Sequence, residues 1–352
     1  MNTINNMNTT NNNTTNNTVN TNNRKNTTSM KTMTTRTKLK TLSLAAAVGL
    51  MAFDNASRLD AADWFPSGSQ LVDSHQRYDH TEVDYNASVW ITTGGWLSSV
   101  LCVGNSAWGS VAVSGTGRLS AEGIELGRTS SGNGELTVSG QGYVEVYTYP
   151  LLIGDAGYGL VKVYGQARMD VGSVTGLGAG TIEISTGGTL SIAGNGRVIT
   201  DLLDLGTYSD GGALEILEGG QLEIYDGGAM NVGLGASITL ALPPQGHTSI
   251  YVDGNVQFYA GYGSFQFGLY SGGQVFAENT TFTIVEATGG VDYTAFGATV
   301  EDPMTHQLFD VSGDGYTVVL TARAIPEPST YALIGGVGVL ALAVLRRRRK
   351  GL

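Results

Sequence analysis

The sequence predicts an all-β protein: a parallel β-solenoid, expected as a right-handed β-helix, with a β-rich C-terminal cap and a short C-terminal transmembrane helix. Three observations predict it. Apolar and polar residues alternate in short runs such as Leu136-Thr137-Val138 and Val144-Glu145-Val146, and a period of two puts the apolar set on one face of a strand. Glycine, at 51 of 352 residues, clusters between those runs, where the chain has to turn. The runs also recur, with Val111, Leu136 and Val161 heading equivalent copies 25 residues apart. A coil of that length holds two or three short strands and cannot bury its apolar face alone. Copies must therefore pile up, about 4.8 Å apart.

In chain order, residues 1–35 are mostly Asn and Thr, a composition that buries too little surface to offset ordering entropy. This leader is expected to be disordered, and a start at Met30 or Met33 is the alternative to an extended leader. Residues 36–62 read as a signal peptide. Arg36, Lys38 and Lys40 precede an apolar run from Leu42 to Phe53, and small residues follow, with cleavage expected between Ala56 and Ala62. Residues 63–95, with Trp64 and Trp90, are expected to cap the open end of the stack, which would otherwise expose unpaired strand edges.

The repeats occupy 96–244. Three clean copies are followed by looser ones, Ile182/Ile184 with Leu190/Ile192 and Leu214/Ile216 with Leu222/Ile224, and by a half-copy at Ile238 and Leu240. Taken this way the spacing drifts after Val161 to 21, 32 and 24 residues. About six coils are expected, a stack of roughly 30 Å. Gly115/Gly117, Gly140/Gly142, Gly187-Gly188 and Gly219-Gly220 are read as corners that need positive φ. An antiparallel sandwich is the competing fold, and the regular glycine corners favour the solenoid. Residues 245–324 follow Pro243-Pro244 and are more aromatic, with strand-like runs at 249–258, 264–270, 280–286 and 316–322. They are expected to form a β-rich cap.

Charge narrows the function. The net charge is −11, but between Asp63 and Ile325 there are 7 Lys plus Arg against 27 Asp plus Glu, so the body is far more acidic than the whole. An acidic body repels phosphate backbones, and no nucleic-acid partner is expected. Cys102 is the only cysteine and lies between Leu101 and Val103, which reads as a buried, inert thiol. Carboxylates at Glu135, Asp155, Asp170, Glu215, Glu218 and Glu223, with Arg118, Lys162, Arg168 and Arg197, are the residues a polysaccharide lyase or hydrolase on this fold would draw on. The preferred reading is solvated strand faces, with no catalytic residues, no cofactor and no metal site. His75 and His80 near Asp73, Asp79 and Glu82 have a spacing that suits neither a helix nor a strand face. Asp310 to Gly315 reads as a tight turn, because calcium-loop spacing is absent. Tyr143, Tyr147, Tyr149, Tyr158 and Tyr164 form a sugar-stacking strip only if they share one solvent-facing side.

The last segment, 325–352, begins Ile325-Pro326-Glu327-Pro328, continues with an apolar stretch from Tyr331 to Leu345, and ends in Arg346, Arg347, Arg348, Arg349 and Lys350. The two prolines keep the first part extended and off any sheet ladder. As a helix the 15 apolar residues would reach about 22 Å, short of the roughly 30 Å hydrocarbon core, so the arginines would have to snorkel and would hold the tail on the cytoplasmic side. Pro326, Glu327 and Pro328, the short glycine-containing apolar helix and the terminal arginine cluster together resemble the PEP-CTERM sorting signal. That resemblance implies recognition by an exosortase, a membrane-embedded cysteine protease of Gram-negative bacteria that make exopolysaccharide. Pro326, Glu327 and Pro328 would then be the substrate's recognition site. The implied route is export through the inner membrane, anchoring there before processing, then display at the cell surface or in the extracellular matrix, where exopolysaccharide is the second expected partner. The repeat from Leu101 to Leu242 is similar to the short repeat shared by autotransporter passengers and PEP-CTERM proteins. A structural or adhesive, non-enzymatic role is expected; a polysaccharide-active enzyme and a carbohydrate-binding module are the alternatives.

Overall fold

Alternation becomes architecture in a single coil. In Asn133–Val138 the buried positions are Gly134, Leu136 and Val138, with Glu135 and Thr137 outward. Tyr143–Val146 and Leu151–Ile153 bury Val144, Val146, Leu151 and Ile153 in the same way. Those three strands are three faces of one turn. The next turn lays Tyr158–Tyr164 on Asn133–Val138, Arg168–Val171 on Tyr143–Val146 and Thr181–Ile184 on Leu151–Ile153, all in parallel. The chain is a parallel β-solenoid with a triangular cross-section. The computed structural model describes residues 63–172, 180–206, 211–243, 247–259 and 265–325, with positions 339, 340 and 346. The expected leader, the signal peptide, and Pro326, Glu327, Pro328, Tyr331, Leu345, Arg347, Arg348 and Arg349 lie outside those residues.

The first face carries nine parallel strands, from Ser69–Val72 to Gln266–Tyr270. Val111, Leu136, Val161, Leu190, Leu214, Ile238 and Phe267 stack in register down its inner side. On the third face Leu101, Ile124, Leu151, Ile182, Leu203, Met230 and Val256 do the same. Several strands run round the corner between the second and third faces without a break. In Arg118–Leu126, for example, 118–121 pair with the second face and 124–126 with the third. Small buried side chains occupy that bend. Thr200 donates to the carbonyls of Gly180 and Leu202 (2.9 and 3.0 Å), and Ser98 donates to Val100 (3.0 Å).

The register corrects the sequence reading in one respect. Ile182 and Ile184 are not the continuation of Val161 and Val163; they lie between Leu151/Ile153 and Leu203/Leu205 on the third face. Val161 stacks on Leu190. The apparent drift to 21 and 32 residues came from counting strands of different faces as one column. The parallel stack also runs beyond 96–244 in both directions, starting at Ser69–Val72 and ending at Gln266–Tyr270, so there are more layers than the expected six.

The paired glycines do two different jobs. Gly115, Gly140, Gly187 and Gly219 have φ of 59°, 65°, 84° and 73°, the left-handed region where a Cβ is costly. Their partners Gly117, Gly142, Gly188 and Gly220 do not. A Cβ there would stand 2.4, 2.7, 2.1 and 2.4 Å from the carbonyl oxygens of Ile91, Val113, Ile153 and Ile192 in the preceding layer. The first glycine of each pair makes the turn, and the second lets the layers meet.

Aromatic residues close both ends. Trp64 pairs in parallel with Thr81, its ring stacked on Tyr78 at 4.7 Å and edge-on to Trp96 at 5.3 Å. At the other end Phe296, in a 3-10 turn at Tyr293–Phe296, packs edge-on against Phe258, Phe265 and Phe267. Thr317–Ala322 then runs antiparallel to Thr281–Ala287, followed by Leu308–Ser312 and Thr299–Glu301. Reversing strand direction covers the free edge of Thr281–Ala287, so no further parallel rung can add to that strand.

Two buried polar residues bolt this cap down. Asp302 is fully buried and accepts from Ser271 N (3.2 Å), Ser271 Oγ (2.8 Å) and Thr305 N (2.7 Å). Gln307 accepts from Phe276 N (2.9 Å) and donates to the carbonyls of Phe276 (2.8 Å) and Arg323 (2.9 Å). Burial alone would push the Asp302 carboxyl up, but the donors from Thr305 and Ser271 outweigh it and the net shift is downward. A depressed carboxylate contributes stability above its unfolded value of about 3.9 and loses it as pH falls through the folded value.

Two predictions follow from the packing. Leu136→Ala removes a fully buried side chain from the middle of the column and lowers unfolding free energy by about 2–5 kcal/mol, read from denaturant titration. Asp302→Asn flattens the acid limb: between pH 5 and pH 2 the wild type loses more stability than the variant in urea unfolding.

Candidate functional site

The outward face of the second strand column carries the residues an enzyme would need. Arg118, Tyr143, Arg168, Arg197 and Gln221 stack in register along it. The Arg118 guanidinium lies 5.7 Å from the Tyr143 ring centroid. Arg168 pairs with Asp170 at 2.6 Å, and Tyr143 donates to the same carboxylate at 2.9 Å. Burial first, then the charges of Asp170 and Glu145, raises the Tyr143 phenol. Arg197 is paired with Glu223, to which Tyr225 also donates. On the first face Lys162 meets Glu135 at 3.0 Å.

The remaining candidate acids stand apart from those pairs. Asp155 is exposed in the turn after Leu151–Ile153, Glu215 faces outward on Ala213–Ile216, and Glu218 is exposed beyond it. Glu183 and Asp204 are register partners on the third face, away from the three arginines. Burial, then Asp204 and Asp155, raises the Glu183 carboxyl. Among the described residues no group of three or more His, Cys, Asp or Glu is placed to hold a metal ion, His75 and His80 included. Asp314 accepts from Tyr316 N, Thr317 N and Thr317 Oγ1 at 3.0, 2.9 and 2.9 Å, the tight turn expected there.

The five tyrosines do not share one side. Tyr158 and Tyr164 are exposed on the first face, Tyr143 is half-buried on the second, and Tyr147 and Tyr149 lie in the turn that follows it. An open groove of about 360 Å³ forms elsewhere, lined by Arg197, Gln221, Glu223, Tyr225, Thr248 and Tyr251. Of its lining residues the sequence singled out Arg197 and Glu223; Tyr225 and Tyr251 join them because stacking of turns brings their rings to 5.8 Å between centroids.

Cys102 is buried, yet it points outward between Leu101 and Val103, covered by the next layer. Its thiol donates to Glu125 Oε2 at 3.5 Å, with Arg128 Nη1 3.9 Å away. Burial, then the charge of Glu125, pushes the thiol up to about 12.

At the C-terminal edge of the cap the backbone of Arg323 is held on both sides. Arg323 N donates to Leu308 O at 2.9 Å, and Arg323 O accepts from Gln307. The Arg323 side chain is paired with Asp310, and that hydrogen bond is what holds the Asp310 carboxyl below its usual range. Ala324 and Ile325 are exposed. Beyond them Val339, Leu340 and Arg346 are helical and exposed. Among the described residues no helix is long and apolar enough to cross a membrane.

A family model, the PEP-CTERM protein-sorting motif, matches residues 324–349. The chain carries a PEP-CTERM protein-sorting motif. Such a motif indicates sorting by an exosortase system to the cell surface, with export and a surface or membrane-anchored location. A search of the curated proteins finds no match to the chain, and a search of the solved structures finds none. The motif starts one residue after Arg323. The Gln307 and Leu308 clasp on Arg323 was invisible in the sequence, since a buried glutamine has no periodic signature.

With its thiol near 12, Cys102 holds about one thiolate in ten thousand at pH 8. The folded protein should therefore show almost no reaction with a disulfide reagent at that pH, and one equivalent of thiol once denatured.

Proposed function

We propose that this chain is an exported, non-enzymatic envelope or matrix protein whose acidic solenoid serves as a structural or adhesive rod, released or held by an exosortase-type protease acting on its C-terminal segment. The observation that carries the reading is that the sorting motif begins at the residue after Arg323, whose backbone the cap holds through Leu308 and Gln307. A processing enzyme needs an extended substrate with free backbone groups, and cutting past Ile325 would leave every rung of the stack intact. Nine layers about 4.8 Å apart make a column of about 40 Å. Its long side faces carry ion pairs such as Lys162–Glu135 and Arg168–Asp170. The acid excess keeps such rods apart in solution and suits a hydrated exopolysaccharide matrix outside a Gram-negative cell.

A second reading, carbohydrate binding, is favoured by the Arg197–Tyr251 groove. It offers two tyrosine rings beside an arginine, a carboxylate, a glutamine and a threonine, the mixture of stacking and hydrogen bonding that sugars use.

Mass spectrometry of the mature protein separates the readings of the tail. Cells with the processing enzyme should yield a product lacking Arg346–Leu352, whereas Pro326→Ala/Glu327→Ala/Pro328→Ala keeps the full C-terminus. An intact Arg346–Leu352 in the wild-type mature protein would overturn processing. For the groove, Tyr251→Ala should abolish retention on an immobilised polysaccharide while leaving the thermal midpoint nearly unchanged; equal retention removes the second reading.

A further inference from the structure

Exposed apolar side chains are scattered over most of the molecule, but one set gathers at the chain exit. Val275, Met304, Leu308 and Ile325 are 61%, 56%, 39% and 38% exposed. Gln307 draws them together, because its side chain bonds Phe276, next to Val275, and Arg323, two residues before Ile325, while Leu308 follows it directly. A Cβ placed on Gly273 would sit 3.9 Å from Met304 Cε, which puts Met304 on the same corner of the cap. Near the rim Arg323 is paired with Asp310, and His306 Nδ1 lies 2.7 Å from Glu301.

Covalent geometry says what this corner faces while the tail is in place. Five residues, 326–330, separate Ile325 from the apolar stretch that starts at Tyr331. Fully extended they reach at most about 20 Å. The headgroup region already takes up about 5–8 Å of that on one side of the bilayer. Val339 and Leu340 are each 69% exposed, so this chain's own β-fold does not cover them. The cap end of the column is therefore kept within about 12–15 Å of the headgroup surface.

We propose that the corner formed by Val275, Met304, Leu308 and Ile325 is a bilayer-docking surface. It seats the cap in the headgroup region of the membrane, with the first layer, Ser69–Val72, pointing away. The occupant is the lipid surface itself. The Arg323–Asp310 pair lowers the local cost of leaving bulk water, and the four apolar side chains gain burial at the acyl boundary. Docking would also hold Pro326, Glu327 and Pro328 at the height where a membrane-embedded protease works. The inference rests on the membrane-anchored reading of the sorting segment.

The test uses the full chain, produced without the processing enzyme and reconstituted in phosphatidylcholine vesicles containing a bromine-labelled lipid. Met304→Cys, Leu308→Cys and, as a distant control, Tyr164→Cys each receive an environment-sensitive fluorophore; Cys102 stays unlabelled because it is buried. Bromolipid should quench the probes at 304 and 308 roughly twofold and leave the probe at 164 unchanged. Retention on the vesicles with no more quenching at 304 and 308 than at 164 overturns the docking surface and leaves the anchor reading standing. A chain not retained by the vesicles overturns the anchor reading and the docking surface with it.

Discussion

Every strand in the body satisfies its backbone on the strand one turn above and one turn below, and on nothing within its own turn. The three short strands of a coil face different directions and never pair with one another. A solitary coil would leave its N–H and C=O groups and its apolar face unpaired, so order spreads only by repetition. The inner columns follow from this constraint. In-register stacking places Val111 over Leu136 over Val161, and a single alternation in sequence becomes a continuous core. The glycine pairs follow from it as well, because layers spaced by a hydrogen bond leave no room for a Cβ over the carbonyl of Ile91 or Ile153.

The same constraint makes the ends the difficult places. Each end of a parallel stack exposes a row of unpaired groups, and the two ends are treated differently. The first turn closes over a Trp64–Tyr78–Trp96 cluster. The last is covered by strands that reverse direction, fixed by the buried Asp302 and Gln307. That second device also sets where the fold lets go of the chain, since Gln307 and Leu308 hold Arg323, the residue before the sorting motif. The motif thus begins immediately after a residue whose N–H and C=O are both held by the cap.

Much of this was legible in residues. Strand positions from Val111 to Val171 followed from alternation alone, and the outward pairing of Lys162 with Glu135 was within reach of the 25-residue period. The misplacement of Ile182 and Ile184 has a physical cause. All three faces use the same apolar-x-apolar pattern, so a strand carries no mark of which face it belongs to once loop lengths change. Nine residues lie between Val171 and Thr181, against four between Val146 and Leu151, and that difference in length hides which face the strand belongs to. The groove was legible only in Arg197 and Glu223, since the spacing beyond Leu222 departs from the clean repeat, and the clasp on Arg323 was not legible because it joins residues of the cap.

The sequence by itself determined that the body is β, that its strands bury alternate side chains, that glycines mark its corners, and that residues 324–349 carry a sorting motif. These are local properties: a period of two, a backbone conformation and a linear motif read as a linear motif. Only the tertiary structure decided which copies lie on which, that the parallel stack reaches from Ser69 to Tyr270, which glycine of each pair turns and which makes room, and that the thiol of Cys102 lies sealed beneath Glu125. Those depend on register between turns, and register is set by hydrogen bonds and apolar columns formed only when the whole stack is assembled.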